Sequence, residues 1–369
     1  MLKDTNLIKS DLYFYKIMAA KKWQVIGLMS GTSLDGVDLA QVTFTDENQY
    51  EYKINHAKTY AYSDDWRKKL KNAFYATAEE ITLLNVDYGR FLGRLINDFI
   101  QEFSIKEIDF IASHGHTIFH NPDKKYTLQI GDGASIATTT NLKVVCDFRS
   151  QDVAFGGQGA PLVPIGDLLL FSDYDYCLNL GGFANISFQE DGERKAFDIC
   201  PVNVVLNHFA EKRGVPFDEN GKLASEGNIH QELLNQLNEI DFYKNTSPKS
   251  LGMEFVNAVI FPIIPPFSLS ENDILRTFVE HIAYKIAEKV KPSHQILITG
   301  GGAFNTYLTG RIEFHTQCEI EIPSANLINF KEALIFAFLG LLKVKNKINC
   351  LKNVTGATKD HCSGVIYEP

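Results

Sequence analysis

The chain has 369 residues, 45% hydrophobic and 22% charged, with a formal net charge of −9. That length accommodates two α/β domains, and the acidic balance argues against a sequence-independent nucleic-acid binder, which needs a basic surface. Six scattered cysteines without a C-x-x-C pair read as thiols of a reducing, cytoplasmic compartment, and no apolar run reaches the ~20 residues of a membrane span.

Asp4, Asp11 and Tyr13 interrupt any signal-peptide core, so residues 1–22 read as an extension ahead of the fold, with Met18 a candidate start. Residues 25–29 and 37–44 are alternating apolar runs around a tip of small residues, which reads as a β-hairpin. The tip is rich in hydroxyls and backbone N–H groups; such a tip wraps a phosphate or is a plain turn. No Walker loop, G-x-x-x-x-G-K-[ST], occurs in the chain. Residues 63–103 repeat apolar positions at helix spacing. A short strand over 108–113 runs into His114, His116 and His120. On a strand His114 and His116 share a face, but neither a Cys or carboxylate neighbour nor H-E-x-x-H is present, so a zinc cluster is disfavoured. Strands over 126–130 and 144–148 enclose a helix over 134–140. Asp147, Arg149 and Asp152 form a polar cluster in which Arg149 suits carboxylate or phosphate binding, or a structural ion pair.

A Gly-rich segment, 152–164, leads into a second series. The strand over 175–180, the turn Gly181-Gly182 and the strand over 183–188 echo the first hairpin, as expected of two similar domains facing one cleft. Asp198 lies in the next strand, 195–200, close to Asn203, and reads as a cleft base or a strand-end cap. Helical pattern covers 202–212, 229–242 and 272–290, with a polar turn region over 217–227. Lys249-Ser250 reads as a mobile loop or a helix start. The strand over 295–299 ends at Gly300-Gly301-Gly302, with 303–311 helical after it, so that turn would offer free N–H groups to an anion. Three Gly-containing turns after buried strands suggest a nucleotide gripped from several sides. Residues 331–343 form an apolar helix suited to a domain interface, with Glu332 at its start as a helix-terminal charge or a cleft residue.

The segment Gly27-Leu-Met-Ser-Gly-Thr-Ser-Leu-Asp-Gly-Val-Asp38 resembles the N-terminal signature of anhydro-N-acetylmuramic acid kinases. Further blocks of the same family follow in order, among them His114-Gly-His-Thr117, Asp147-Phe-Arg149, the segment from Asp152 to Pro164, Leu178 to Ser187, Thr299 to Asn305, and Val354-Thr-Gly-Ala357. The resemblance implies a two-domain actin-like/sugar-kinase (ribonuclease-H-like) α/β fold with an interdomain cleft. Domain I would be 23–150, rejoined by 349–369, and domain II 151–348. It also implies ATP and Mg²⁺ as cofactors, and a small amino sugar as partner in peptidoglycan recycling; nucleic acid and membrane are not expected, and a homodimer is compatible. In the implied reaction an aspartate activates water against the anomeric carbon of 1,6-anhydro-N-acetylmuramic acid, the bridge opens, and O6 takes the γ-phosphoryl group. The product is N-acetylmuramic acid 6-phosphate.

Carried over residue by residue, the catalytic aspartate falls on Asp198. Ser30, Gly31, Thr32, Ser33, Leu34, Asp35, Gly36 and Val37 fall on the ATP-binding loop, with Gly181, Gly182, Gly300, Gly301 and Gly302 near the nucleotide. His114, Arg149, Gln158, Asn203 and Glu332 fall near the sugar, and no metal ligand is assigned. The chain departs from the family at Cys200 and Val202, where the family has glycines, at Met253, where it has Arg, at His116, where it has Gln, and over the atypical segment 358–363. A glycine of positive φ at position 202 would leave Val202 strained. The departures frame an alternative, a catalytically weak sugar or nucleotide sensor on the same fold; a zinc hydrolase using the three histidines is the third reading.

Overall fold

The computed structural model describes residues 21–31, 33–46, 49–244 and 250–369. Thr32 of the hairpin tip, Lys249 and the candidate start Met18 lie outside the described residues.

Two sheets carry the fold. In the first, β1 (Lys21–Ser30) and β2 (Gly36–Asp46) pair antiparallel with Met29 opposite Asp38, and β3 (Tyr50–Ala61) extends the meander. On the other side of β1, β4 (Phe110–Asn121) runs parallel to it, carrying β5 (Tyr126–Ile130) and β6 (Val144–Cys146). The second sheet repeats this plan. β7 (Tyr176–Leu180), β8 (Phe183–Glu190) and β9 (Glu193–Pro201) form an antiparallel meander, and β10 (Gln295–Thr299) and β11 (Glu319–Glu321) follow in parallel beside β7. The matching orders β3-β2-β1-β4-β6 and β9-β8-β7-β10-β11 make the echo between the two hairpins a repeat of topology. The short β12 (Val365–Tyr367) returns the chain to β6 of the first sheet.

Helices fill the crossovers. α1 (Asp64–Asn72) and α2 (Ala78–Glu102) link β3 to β4. α2 starts at a capping box in which Thr77 and Glu80 satisfy each other's backbone N–H groups. α3 (Gly133–Thr140) precedes β6, and α4 (Ser150–Ala154) and α5 (Val163–Leu170) lead to the second sheet. α6 (Asn203–Lys212) and α7 (Glu271–Ala287) lie between β9 and β10, and α8 (Thr306–Thr316) between β10 and β11. Between α6 and α7 the expected helix over 229–242 is shorter, Gln231–Asn238, and a separate 3₁₀ turn spans Asp241–Lys244.

α9 (Ala325–Val344) is buried nearly all round. A methyl group on Gly27 of β1 would lie 2.0 Å from the Ala333 carbonyl oxygen, and one on Gly340 would lie 2.6 Å from Ala112 Cβ of β4. On another flank, a methyl on Gly166 of α5 would meet Ile335 at 2.1 Å. One apolar cluster joins α5 and α9 with Val25, Val42 and Phe110 of the first sheet and Cys177 and Leu297 of the second, so these helices pack between the sheets. α9 also begins earlier than its apolar run implies, at a Ser324 cap that accepts the Leu327 N–H, and its dihedrals break at Phe330 (φ −118°, ψ 15°). Glu332 therefore sits roughly two turns inside the helix and is no terminal charge. Among the described residues no helix is long and apolar enough to cross a membrane.

Candidate active site

The tip of the first hairpin is a tight turn in which the Leu34 N–H meets the Gly31 carbonyl at 3.4 Å and Leu34 takes φ 61°. Ser33 and Asp35 are exposed, and Val37 re-enters the core. Gly36 is required by closeness, since a Cβ there would lie 2.4 Å from the Tyr60 carbonyl oxygen. Ser30 faces inward: its hydroxyl bonds Tyr62 Oη at 2.6 Å and His116 Nδ1 at 2.8 Å, and accepts from Tyr88 Oη at 3.0 Å. Burial pushes His116 down to about 4, so its ring is neutral at physiological pH. Sequence reasoning had no access to this network, because its members lie on β1, just past β3, on α2 and on β4.

A second group centres on Arg149, at the N-terminus of α4. Its Nε–H donates to His114 Nε2 at 2.9 Å and its Nη1–H donates to the Gly159 carbonyl at 2.7 Å. Arginine can only donate, so His114 Nε2 accepts and Nδ1 carries the proton, donating to the Gly115 carbonyl at 3.0 Å. Burial and the Arg149 charge hold His114 well below its ordinary pKa. The polar cluster expected of Asp147, Arg149 and Asp152 thus divides, with Asp152 accepting instead from the Gly159 N–H and Thr355 Oγ1. Gln158 is exposed on the Gly-rich loop, anchored through its N–H to the Thr355 carbonyl at 2.7 Å. Glu332 reaches solvent while protein crowds its carboxyl; that desolvation raises its pKa, Arg149 opposes this and Asp38 adds to it. The adjacent Lys331 turns to the other sheet. Its ammonium lies 2.8 Å from Asp167 Oδ1, whose Oδ2 accepts from Ser187 at 2.5 Å, and Ser187 in turn accepts from Arg194 at 2.7 Å.

The third group surrounds the carboxyl end of β7. The Val202 N–H meets the Gly182 carbonyl at 2.8 Å, the Asn203 N–H meets the Gly181 carbonyl at 3.3 Å, and the Asn203 side chain donates to the Leu180 carbonyl at 3.2 Å. Gly300, at φ 82°, packs so closely that a Cβ would lie 2.6 Å from Asn179 Oδ1; one on Gly302 would lie 2.7 Å from Leu180 Cβ. The fold therefore brings Gly181, Gly182, Asn203 and Gly300 to Gly302 together. The turn does not open an α-helix directly: Gly301–Phe304 is a 3₁₀ turn, and α8 starts at Thr306, where Asn305 caps the Leu308 N–H at 2.9 Å.

Asp198 lies in β9 opposite Asn185, beside a bulge that leaves Ile199 unpaired before Cys200 meets Ala184. Its Oδ2 accepts the Leu251 N–H at 2.8 Å. Burial raises its pKa and that hydrogen bond partly offsets the shift. Val202 has φ −130°, outside the left-handed region, so substitution of a glycine there carries no such strain. The three histidines form no metal group among the described residues: His114 serves Arg149, His116 serves Ser30, and His120 Nδ1 meets Thr127 Oγ1 at 3.1 Å.

Residues 23–369 match the family described as anhydro-N-acetylmuramic acid kinase. The chain is 34% identical to the anhydro-N-acetylmuramic acid kinase of Vibrio cholerae, over 95% of this chain and 100% of that protein. It is 34% identical to the enzyme of the same name from a Sulfurovum species, covering 94% and 99%. Among solved structures, the ADPNP-bound activator of the 2-hydroxyisocaproyl-CoA dehydratase from Clostridium difficile overlaps 87% of this chain and 97% of its own, at 12% identity and a TM-score of 0.42. A ROK family glucokinase from Streptomyces griseus, in complex with glucose and AMPPNP, gives 12% identity and a TM-score of 0.38, covering 86% and 98%.

Proposed function

The chain belongs to the anhydro-N-acetylmuramic acid kinase family, and we propose that Asp198 is the base of its reaction. The enzyme is an ATP-dependent phosphotransferase of the actin-like/sugar-kinase fold, acting on a sugar hydroxyl. Asp198 takes a proton from water as the water oxygen bonds to the anomeric carbon. The bond from that carbon to O6 breaks, and O6 takes the γ-phosphoryl group as ADP leaves. The base works as in an inverting glycosidase, from the face opposite the departing oxygen. The observation that carries this reading is the setting of Asp198. It is half-buried beside a strand bulge, one oxygen is pinned by the Leu251 N–H, and burial makes it a stronger base than an exposed carboxylate.

The Gly31–Val37 tip and the glycines gathered at β7 and β10 would hold the nucleotide, and Arg149, fixed by His114 and Gly159, would meet the acid group of the sugar, with Gln158, Asn203 and Glu332 binding its other groups. Mg²⁺ fits the same side. Asp35 and Asp38 crowd negative charge beside the tip, with Asp38 raised by burial and by Asp35 against the Thr59 hydrogen bond. Mg²⁺ takes carboxylate oxygen together with phosphate. These two residues would hold it, and it would neutralise charge on the transferred group. No observation favours the sensor alternative, and Val202 has a negative φ, outside the left-handed region.

Sugar-dependent ADP release tests the reading, wild type against Asp198→Asn. Loss of about a thousandfold or more in kcat is expected for removal of a base acting on a poor nucleophile. Turnover at near wild-type rate in the variant would move the base elsewhere.

A further inference from the structure

Asp152, Cys350 and His361 form a group that neither the sugar nor the nucleotide reading uses. All three are buried, at 0%, 2% and 6% exposure, and their donor atoms lie within 4.8 Å of one another. Three separate segments supply them: α4, the chain just after α9, and the C-terminal loop. Cys350 and His361 face each other in an isolated antiparallel bridge, with N–H to carbonyl distances of 3.1 and 3.2 Å. Directly opposed residues project from the same face.

The ring of His361 decides the chemistry. Its Nδ1 lies 3.2 Å from the Lys359 carbonyl. A carbonyl only accepts, so that nitrogen carries the proton. Nε2 has no hydrogen-bond partner among the described residues and lies 3.6 Å from Asp152 Oδ1. The carboxylate is held in that orientation, Oδ1 by Thr355 Oγ1 at 2.8 Å and Oδ2 by the Gly159 N–H at 2.7 Å. A ring nitrogen facing a carboxylate oxygen away from water requires a positive charge between them, a proton or a metal ion.

We propose that this charge is a Zn²⁺-class metal ion, bound by Asp152 Oδ1, His361 Nε2 and Cys350 Sγ, with water in a fourth position. One sulfur, one nitrogen and one oxygen make the mixed donor set that zinc accepts, whereas Mg²⁺ and Ca²⁺ prefer oxygen alone. The outer contacts match those of metal-bound residues: the second ring nitrogen of His361 is tied to a carbonyl, and the carboxylate to a hydroxyl. The ion clamps the C-terminal segment to the Gly-rich loop whose Gly159 carbonyl holds Arg149. It is distinct from the Mg²⁺ that accompanies ATP, and its presence is measured without turnover, so its failure would leave the kinase reading untouched.

The test uses the full chain, produced without a histidine tag in zinc-supplemented medium. Elemental analysis is expected to find about one zinc per chain, as a site with preformed ligands retains its ion. Cobalt substitution is expected to give a sulfur-to-cobalt charge-transfer band, lost in Cys350→Ser and kept in Cys362→Ser. Stripping with a chelator should lower Tm by several degrees, and Zn²⁺ should restore it. Wild-type protein with no stoichiometric metal, no cobalt band and no rise in Tm on Zn²⁺ addition would overturn the proposal and leave a direct His361–Asp152 contact. These wild-type measurements decide the matter even where Cys350→Ser fails to fold.

Discussion

Arg149 donates its Nε–H to His114 Nε2 at 2.9 Å, and this bond settles the state of both side chains. His114 is a neutral acceptor with its other nitrogen on the Gly115 carbonyl, and Arg149 is held with its guanidinium in one plane. Removing the acceptor in His114→Ala is expected to raise the KM for sugar by about ten- to a hundredfold, roughly 1.4–2.7 kcal/mol. The KM for ATP should stay unchanged. Gln at this position offers an oxygen acceptor and should recover part of the loss. Steady-state kinetics with each substrate varied in turn distinguishes this from a general loss of fold, which would move both constants.

The pH dependence of the base has a definite sign. Burial raises Asp198, so its basic form fills only at a higher pH than an exposed aspartate requires. Activity is therefore lost on acidification earlier than an exposed aspartate would allow. The Leu251 N–H favours the charged form, and Leu251→Pro removes that donor. The acid limb of kcat/KM is expected to move to higher pH in this variant, and an unmoved limb would separate the group that titrates from Asp198.

His116 stands where the resembled family has Gln. Burial holds its pKa at about 4, so it acts only as a neutral hydrogen-bonding partner of Ser30. His116→Gln is expected to keep kcat within about threefold and to leave the pH profile unchanged from pH 6 to 9, because Gln supplies the same capacity. His116→Leu withdraws a partner from a buried hydroxyl and should cost about 1–2 kcal/mol in chemical denaturation.

Lys331 and Asp167 form a buried pair at 2.8 Å. Burial works against the Lys331 charge and Asp167 outweighs it, so the pKa lies above its ordinary value. This contribution is fully present below the ordinary lysine range, about pH 10.4, and is lost as pH rises through the folded-state value. Lys331→Met is expected to destabilise the protein by about 3–5 kcal/mol at neutral pH, since it leaves a buried carboxylate uncompensated. The double variant Lys331→Met with Asp167→Leu should regain most of the loss. Equal destabilisation in both variants, measured by denaturant titration, would show that the charges are not what matters.

Local pattern carried the strands well. The reading over 295–299 coincides with β10, because five residues between a polar approach and Gly300 leave little freedom in where a buried strand begins and ends. Pattern failed where polar side chains set the boundary. α9 begins at the Ser324 cap, ahead of the unbroken apolar run, and α8 begins at the Asn305 cap, after a 3₁₀ turn that shares its apolar spacing. Both caps are signals of a known kind that the hydrophobic period overrode. The tertiary partners were beyond reach: Ser30 with Tyr62, Tyr88 and His116, and Arg149 with His114, are choices made by the packing of distant elements. Family motifs named His114 and Arg149 without indicating that one supports the other.

Gly27, Gly166 and Gly340 press on α9 from β1, α5 and the helix's own face toward β4, each without space for a methyl group. Small residues interlocked on several flanks act as a detent. A shift of the helix along its axis would drive its backbone against Gly27 and bring the Gly340 position against the Ala112 and Phe110 side chains at once. Relative movement of the two sheets must then be taken up elsewhere than by sliding of this helix, whose Lys331 and Glu332 are neighbouring teeth that engage opposite sides.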